Sequence, residues 1–155
     1  MKLEVVVLAA GKGTRMRSAL PKVLHLVAGK PMLSHVLESA QKLAPDHIHV
    51  VCGHGADQVR EYFSHDPTIN WIFQAEQMGT GHAVCQALPD ISTQSTVLVL
   101  YGDIPLILPG TLKRLTDEAR DGSLAVLSAS FDNPHGYGRV VRDSDNAICA
   151  IVEEA

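Results

Sequence analysis

The residues of this 155-residue chain best suited by type and spacing to chemistry stand within its first two dozen positions. Gly11 and Gly13, with Ala9 and Ala10 before them, give a tight turn little side-chain bulk. Successive backbone N–H groups in such a turn can cradle phosphate oxygens. Lys12, Arg15 and Lys22 set three cations nearby, and a guanidinium can grip phosphate through two parallel hydrogen bonds. Spelling excludes two other phosphate loops. The pattern G-x-G-x-x-G would need glycine where Met16 stands, and G-x-x-x-x-G-K-[ST] occurs nowhere. The loop reads as a polyphosphate cradle, against an ordinary strand-to-helix turn carrying exposed basic residues.

Two further constellations suit the same chemistry. Asp103 follows Tyr101 and Gly102 at the end of an apolar run, and the glycine leaves room beside the carboxylate. Mg²⁺ prefers oxygen ligands and shares its shell with phosphate, so an aspartate in a triphosphate pocket is a natural ligand. A turn-forming or capping role is the alternative. Gln74 through Gly81 brings carboxamides and glycine together. An amide both donates and accepts, which suits the imide edge of uracil; a polar loop with Thr80 as helix cap is the other reading. Gly136, Gly138 and Arg139 read equally as a strand-edge turn, and Glu153 as a solvated residue.

Elements must position these groups. Leu3–Val7 is a β-branched run of the kind buried on both faces of a parallel sheet. Pro31 suits a first helical turn, and Met32, Leu33, Val36, Leu37, Ala40 and Leu43 recur at helical spacing before Pro45. A strand is expected over His47–Cys52, then a helix from Ala56 to about Phe63 with Val59, Tyr62 and Phe63 on one side. Asn70–Phe73, Thr96–Leu100 and Leu124–Phe131 read as strands, with helices between them from the Gly79–Thr80 turn to Leu88 and over Thr111–Arg120, Gly122 stopping the latter. Short strands follow around Val140–Val141 and Ile148–Val152. Alternation of this kind predicts a largely parallel α/β sheet with right-handed crossovers, and ligands bind beyond the carboxyl ends of its strands. No repeat or linker interrupts it, so one domain is expected.

Composition narrows the classes. Hydrophobic residues at 46% and charged residues at 19% suit a soluble globular protein rather than a disordered one. A net charge of −4 argues against general nucleic-acid or anionic-membrane binding, and no apolar run approaches a membrane span or a signal peptide. Cys52, Cys85 and Cys149 form no C-x-x-C pair; buried, reduced thiols in a cytoplasmic protein are expected. The eight histidines make no H-x-x-H or H-E-x-x-H ligand set.

The segment L-A-A-G-K-G-T-R-M at 8–16, with L-P-K at 20–22, resembles the signature of sugar-nucleotide pyrophosphorylases. Adding VCGHGAD at 51–57, NWIFQAEQMGTGHAV at 70–84, LYGDIPLI at 100–107 and GYGRVVRD at 136–143, the resemblance spans nearly the whole chain. It is to the N-terminal half of the bacterial bifunctional N-acetylglucosamine-1-phosphate uridylyltransferase/glucosamine-1-phosphate acetyltransferases. The resemblance implies a Rossmann-like nucleotidyltransferase fold and the formation of UDP-N-acetylglucosamine and pyrophosphate from UTP and N-acetylglucosamine 1-phosphate, for peptidoglycan and lipopolysaccharide synthesis. By position, Leu8, Ala9, Ala10, Gly11 and Gln74 would hold the uridine, and Gly79 and Thr80 the base. Arg15 and Lys22 would stabilise phosphates and developing charge. Asp103 would coordinate Mg²⁺, with Tyr101 and Gly102 beside it, and Gly138 and Glu153 would lie on the sugar side.

Two departures from the family pattern stand near the end. The family continues after Val152 with glutamate, histidine and lysine, whereas here Glu154 and Ala155 follow Glu153. Two downstream asparagines, one a metal ligand, have no counterpart in residues 1–155. Residues 1–155 are therefore expected to be the nucleotide-binding part of a pyrophosphorylase domain, incomplete at its C-terminus and of low or no turnover. A left-handed β-helix for acetyl transfer and homotrimer formation would be absent. Rival readings are a cytidylyl-, guanylyl- or thymidylyltransferase, a non-catalytic nucleotide-sugar sensor, and an unrelated α/β fold with a coincidental turn.

Overall fold

The computed structural model describes residues 2–11, 13, 16–119 and 122–154. They divide into two compact units, residues 1–123 and 124–155.

The first unit is built on β1 (Lys2–Ala9), followed by two short strands β2 (Leu26–Val27) and β3 (Lys30–Pro31) that pair antiparallel. Then come α1 (Met32–Gln41), β4 (His47–Cys52), α2 (Ala56–Tyr62), β5 (Ile69–Phe73), α3 (Thr80–Ala87), β6 (Ser95–Tyr101) and α4 (Pro109–Glu118). The four long strands form a parallel sheet in the order β5-β4-β1-β6. β1 is central, and its valines explain why: Val5, Val6 and Val7 are each 0% exposed and point alternately to two cores. On one face Val5, Val7, Ile48, Val50, Leu98 and Leu100 pack with Leu33, Val36 and Leu37 of α1, Val59 of α2 and Leu112 of α4. On the other, Val6, Val51 and Ile72 pack with Ala83 and Ala87 of α3. Helices cover both faces, as the alternation in sequence requires of a parallel sheet. No described helix is long and apolar enough to cross a membrane.

One polar cluster is built into this core. Glu4 and His49 are both buried, and His49 Nε2 lies 3.0 Å from Glu4 Oε2. Glu4 Oε1 accepts from Ser92 N and from Ser95 Oγ, at 3.0 and 2.7 Å. Burial raises the carboxyl's proton affinity, but the hydrogen bonds from Ser95, Ser92 and His49 outweigh it and hold the group below its ordinary range.

The second unit contains an antiparallel pair, β7 (Arg139–Arg142) and β8 (Ile148–Val152), turned through Asp143, whose Oδ1 accepts from Asp145 N and Ala147 N. Glu154 Oε2 accepts from Gly136 N, and Glu154 Oε1 lies 3.0 Å from His135 Nδ1. That donation from Gly136, with the neighbouring His135 and Arg139, holds the Glu154 carboxyl low.

Several expectations need correction. Leu124–Phe131 is not a strand: none of its residues joins a ladder, and Leu124 is 89% exposed. Its side-chain pattern gives β-propensity but no partner to pair with. Pro31 stands just before α1, closing β3, rather than within its first turn. Tyr62 is 49% exposed, because the buried side of α2 is made by Ala56 and Val59, with Phe63 just past its end, at i, i+3 and i+7 spacing that leaves Tyr62 outside. Cys52 alone is buried; Cys85 and Cys149 are exposed, and all three are free.

Candidate functional site

The carboxyl ends of β1, β4, β5 and β6 converge on one cleft, for a reason visible in the registers. Leu8 stands opposite Val51 and Tyr101, and Cys52 opposite Phe73. The ladders run on past the strands: Gly102 N donates to Leu8 O at 2.9 Å, and Gln74 N to Cys52 O at 2.7 Å. Residues 8–11, 74–80 and 101–103 are thereby held side by side, although up to 95 positions separate them in sequence.

The cleft has a volume of about 270 Å³. Its lining includes Leu8, Ala9, Ala10, Gly11, Lys22, Gln74, Gly79, Thr80, Tyr101 and Asp103, so most of the residues expected from sequence meet in one place. Gly102 lies behind them. A Cβ there would stand 3.2 Å from Leu8 O, 3.2 Å from Val23 Cγ1 and 3.3 Å from Leu33 Cδ1, so a side chain would press Asp103's neighbour away from β1. Gly13 serves Lys22 in the same way: its φ is +57°, and a Cβ would stand 2.9 Å from Lys22 Cβ. Lys12 and Arg15 lie outside the described residues. Gly138 and Glu153 belong to the second unit, where a Cβ on Gly138 would meet both Glu153 carboxylate oxygens at 3.3 Å.

Val23, Gln77 and Ala83 also line the cleft and were not singled out as site residues from sequence. Gln77 and Ala83 sit in the stretch at 70–84 and Val23 directly follows L-P-K at 20–22, but apolar or second amide positions carry no spacing signal of their own.

Charge in the cleft is paired. Lys22 Nζ donates to Asp103 Oδ2 at 2.5 Å across 81 residues of sequence, the two side chains being 40% and 29% exposed. Asp103 offers one hard, partly open carboxylate, the donor a magnesium-type ion takes when phosphate oxygens and water complete its shell. Among the described residues no group of three His, Cys, Asp or Glu side chains could enclose an ion without such help. The residues present thus fit a metal that arrives with a phosphorylated ligand.

Comparison with known proteins gives this geometry a context. A family model described as the MobA-like NTP transferase domain matches residues 5–147. The chain is 59% identical over 153 residues to "Bifunctional protein GlmU" of Pseudomonas syringae pv. syringae, a match covering 99% of this chain and 33% of that protein. The chain therefore spans about a third of the length of the curated relatives it matches. Among solved structures, HddC from Yersinia pseudotuberculosis complexed with GMP-PN is 25% identical with a TM-score of 0.76, over 97% of this chain and 69% of that one. Rv0371C of Mycobacterium tuberculosis, complexed with manganese, is 26% identical with a TM-score of 0.60, over 76% of this chain and 59% of that one.

Proposed function

The chain belongs to the MobA-like NTP transferase domain family, and from that premise we propose that residues 1–155 are the nucleotide-binding part of an N-acetylglucosamine-1-phosphate uridylyltransferase. The reaction joins UTP and N-acetylglucosamine 1-phosphate. A phosphate oxygen of the sugar phosphate bonds to the α-phosphorus of UTP, the bond from that phosphorus to the bridging oxygen breaks, and pyrophosphate leaves. UDP-N-acetylglucosamine, a precursor for peptidoglycan and lipopolysaccharide, is the product, made in the cytoplasm. The observation that carries the reading is the cleft at the strand ends, where backbone at 8–11, the Gln74 amide and the Lys22–Asp103 pair line one cavity. High identity to GlmU relatives over this chain supports it.

Transfers of this kind need positioning and charge stabilisation rather than a protein nucleophile. In this reading Leu8–Gly11 and Gln74 hold the uridine, and Gly79 and Thr80 border the base. Lys22, with Arg15, takes the phosphate charge, and Gly138 and Glu153 serve the sugar. Asp103 and the nucleotide's phosphates would hold a divalent ion, proposed as Mg²⁺, which when bound supplies charge neutralisation. Because Lys22 and Asp103 neutralise each other in the free chain, nucleotide entry gives the ammonium a second anion and opens the carboxylate.

Thermal unfolding with Mg²⁺ and a panel of UTP, CTP, GTP, dTTP and UDP-N-acetylglucosamine tests this. A ligand at a hundred times its dissociation constant adds about 2.7 kcal/mol. Stabilisation by the uridine ligands, lost in Lys22→Met and made metal-independent in Asp103→Asn, is expected. Equal stabilisation by every nucleotide, or by none, would sink the reading.

A further inference from the structure

Beside the cleft, two carboxamides meet one imidazole. Gln74 Nε2 lies 2.9 Å from His82 Nδ1, and Gln86 Nε2 lies 3.1 Å from His82 Nε2. An amide nitrogen only donates, and a neutral imidazole has one accepting nitrogen, a protonated one none. The two contacts therefore cannot both be hydrogen bonds as they stand; with a neutral ring, one amide must offer its oxygen instead. Amide ends are interchangeable in shape, so environment decides which one turns. Gln86 is half-exposed, and either of its ends can be satisfied there by water. Gln74 is 2% exposed and lines the cleft.

Resting on the reading above, we propose that His82 is a positioning residue that sets base choice through Gln74. Gln86 Oε1 accepts from His82 Nε2–H, which leaves His82 Nδ1 to accept from Gln74 Nε2–H. The nitrogen end of Gln74 is then occupied. Its Oε1, which has no hydrogen-bond partner among the described residues, is the polar atom left for a ligand. A fixed acceptor selects a base that presents a donor. The imide N3–H of uracil or thymine satisfies it, whereas N3 of cytosine sets a lone pair against it and leaves a buried acceptor unpaired. His82 thus acts at one remove from the substrate, by denying the amide its other rotation.

Two measurements test this on the chain itself. Long-range ¹H–¹⁵N spectra of the free protein report the His82 tautomer, assigned by its absence in His82→Leu; Nε2–H with Nδ1 bare is expected. Calorimetric titration with UTP and with CTP gives the ratio of their dissociation constants, which a loss of overall stability does not move. The preference for UTP should fall about tenfold in His82→Leu, and fall also in Gln86→Leu at the half-buried neighbour, which serves if His82→Leu does not fold. An Nδ1–H tautomer, or a ratio unchanged in the folded variants, overturns the proposal while leaving the uridylyltransferase reading standing. A wild-type protein that binds UTP and CTP alike fails both.

Discussion

At the scale of single residues, burial decides reactivity. Cys52 ends β4 in the main core, where burial pushes its thiol up to about 12 despite the opposing charge of Arg60. Cys85 and Cys149 face solvent. A thiol reagent at neutral pH should therefore label two cysteines quickly and the third only on unfolding, since the thiolate is the nucleophile. Three fast thiols in the native protein would contradict the placement of β4. Exposure was the part of the cysteine chemistry that spacing did not reveal. The lack of a C-x-x-C pair excluded a redox motif but said nothing of which face each thiol takes. The same limit applies to Lys22 and Asp103. Each was recognisable by type and local context, whereas their 2.5 Å approach depends on β1 and β6 being neighbours.

At the scale of elements, the long strands were legible because β-branched runs buried on both faces have few other uses. Their ends were legible too, through the glycines and the aspartate that follow them. The unpaired Leu124–Phe131 shows where such reading stops, since a strand is a relation between two segments and only one of them is written in its own sequence. Glu4 was unremarkable among the valines of β1, yet it ties that strand to β4 through His49 and to the start of β6 through Ser92 and Ser95. Glu4→Gln should cost about 1–3 kcal/mol at pH 7, read by urea unfolding. Because the folded carboxyl titrates below its ordinary value of 4.5, its contribution is complete above that pH and is lost as pH falls through the folded value. The difference between wild type and variant should accordingly shrink in acid. A difference that grew there would show the carboxylate to be unfavourable in the fold.

For the whole molecule, the division into residues 1–123 and 124–155 predicts uneven protection. Amides of β1 and β4, inside a four-stranded sheet with helices on both faces, should exchange only with global unfolding. Those of Leu124–Phe131, which join no ladder, should exchange within the shortest labelling time. Slow exchange across 124–131 would mean the segment has found a partner.

The place of β1 in the middle of its sheet also has a consequence in time. β1 is made first, and its neighbour β4 follows within some forty residues, but β6 comes roughly ninety residues later, which at ribosomal speeds of about 5–20 residues per second is on the order of ten seconds. Throughout that interval the strand that carries the fully buried Val5, Val6 and Val7 has one edge without a mate. A nascent chain in this state is a natural client for a holding chaperone, and slowing translation before Ser95 should lower the yield of native protein more than slowing it afterwards.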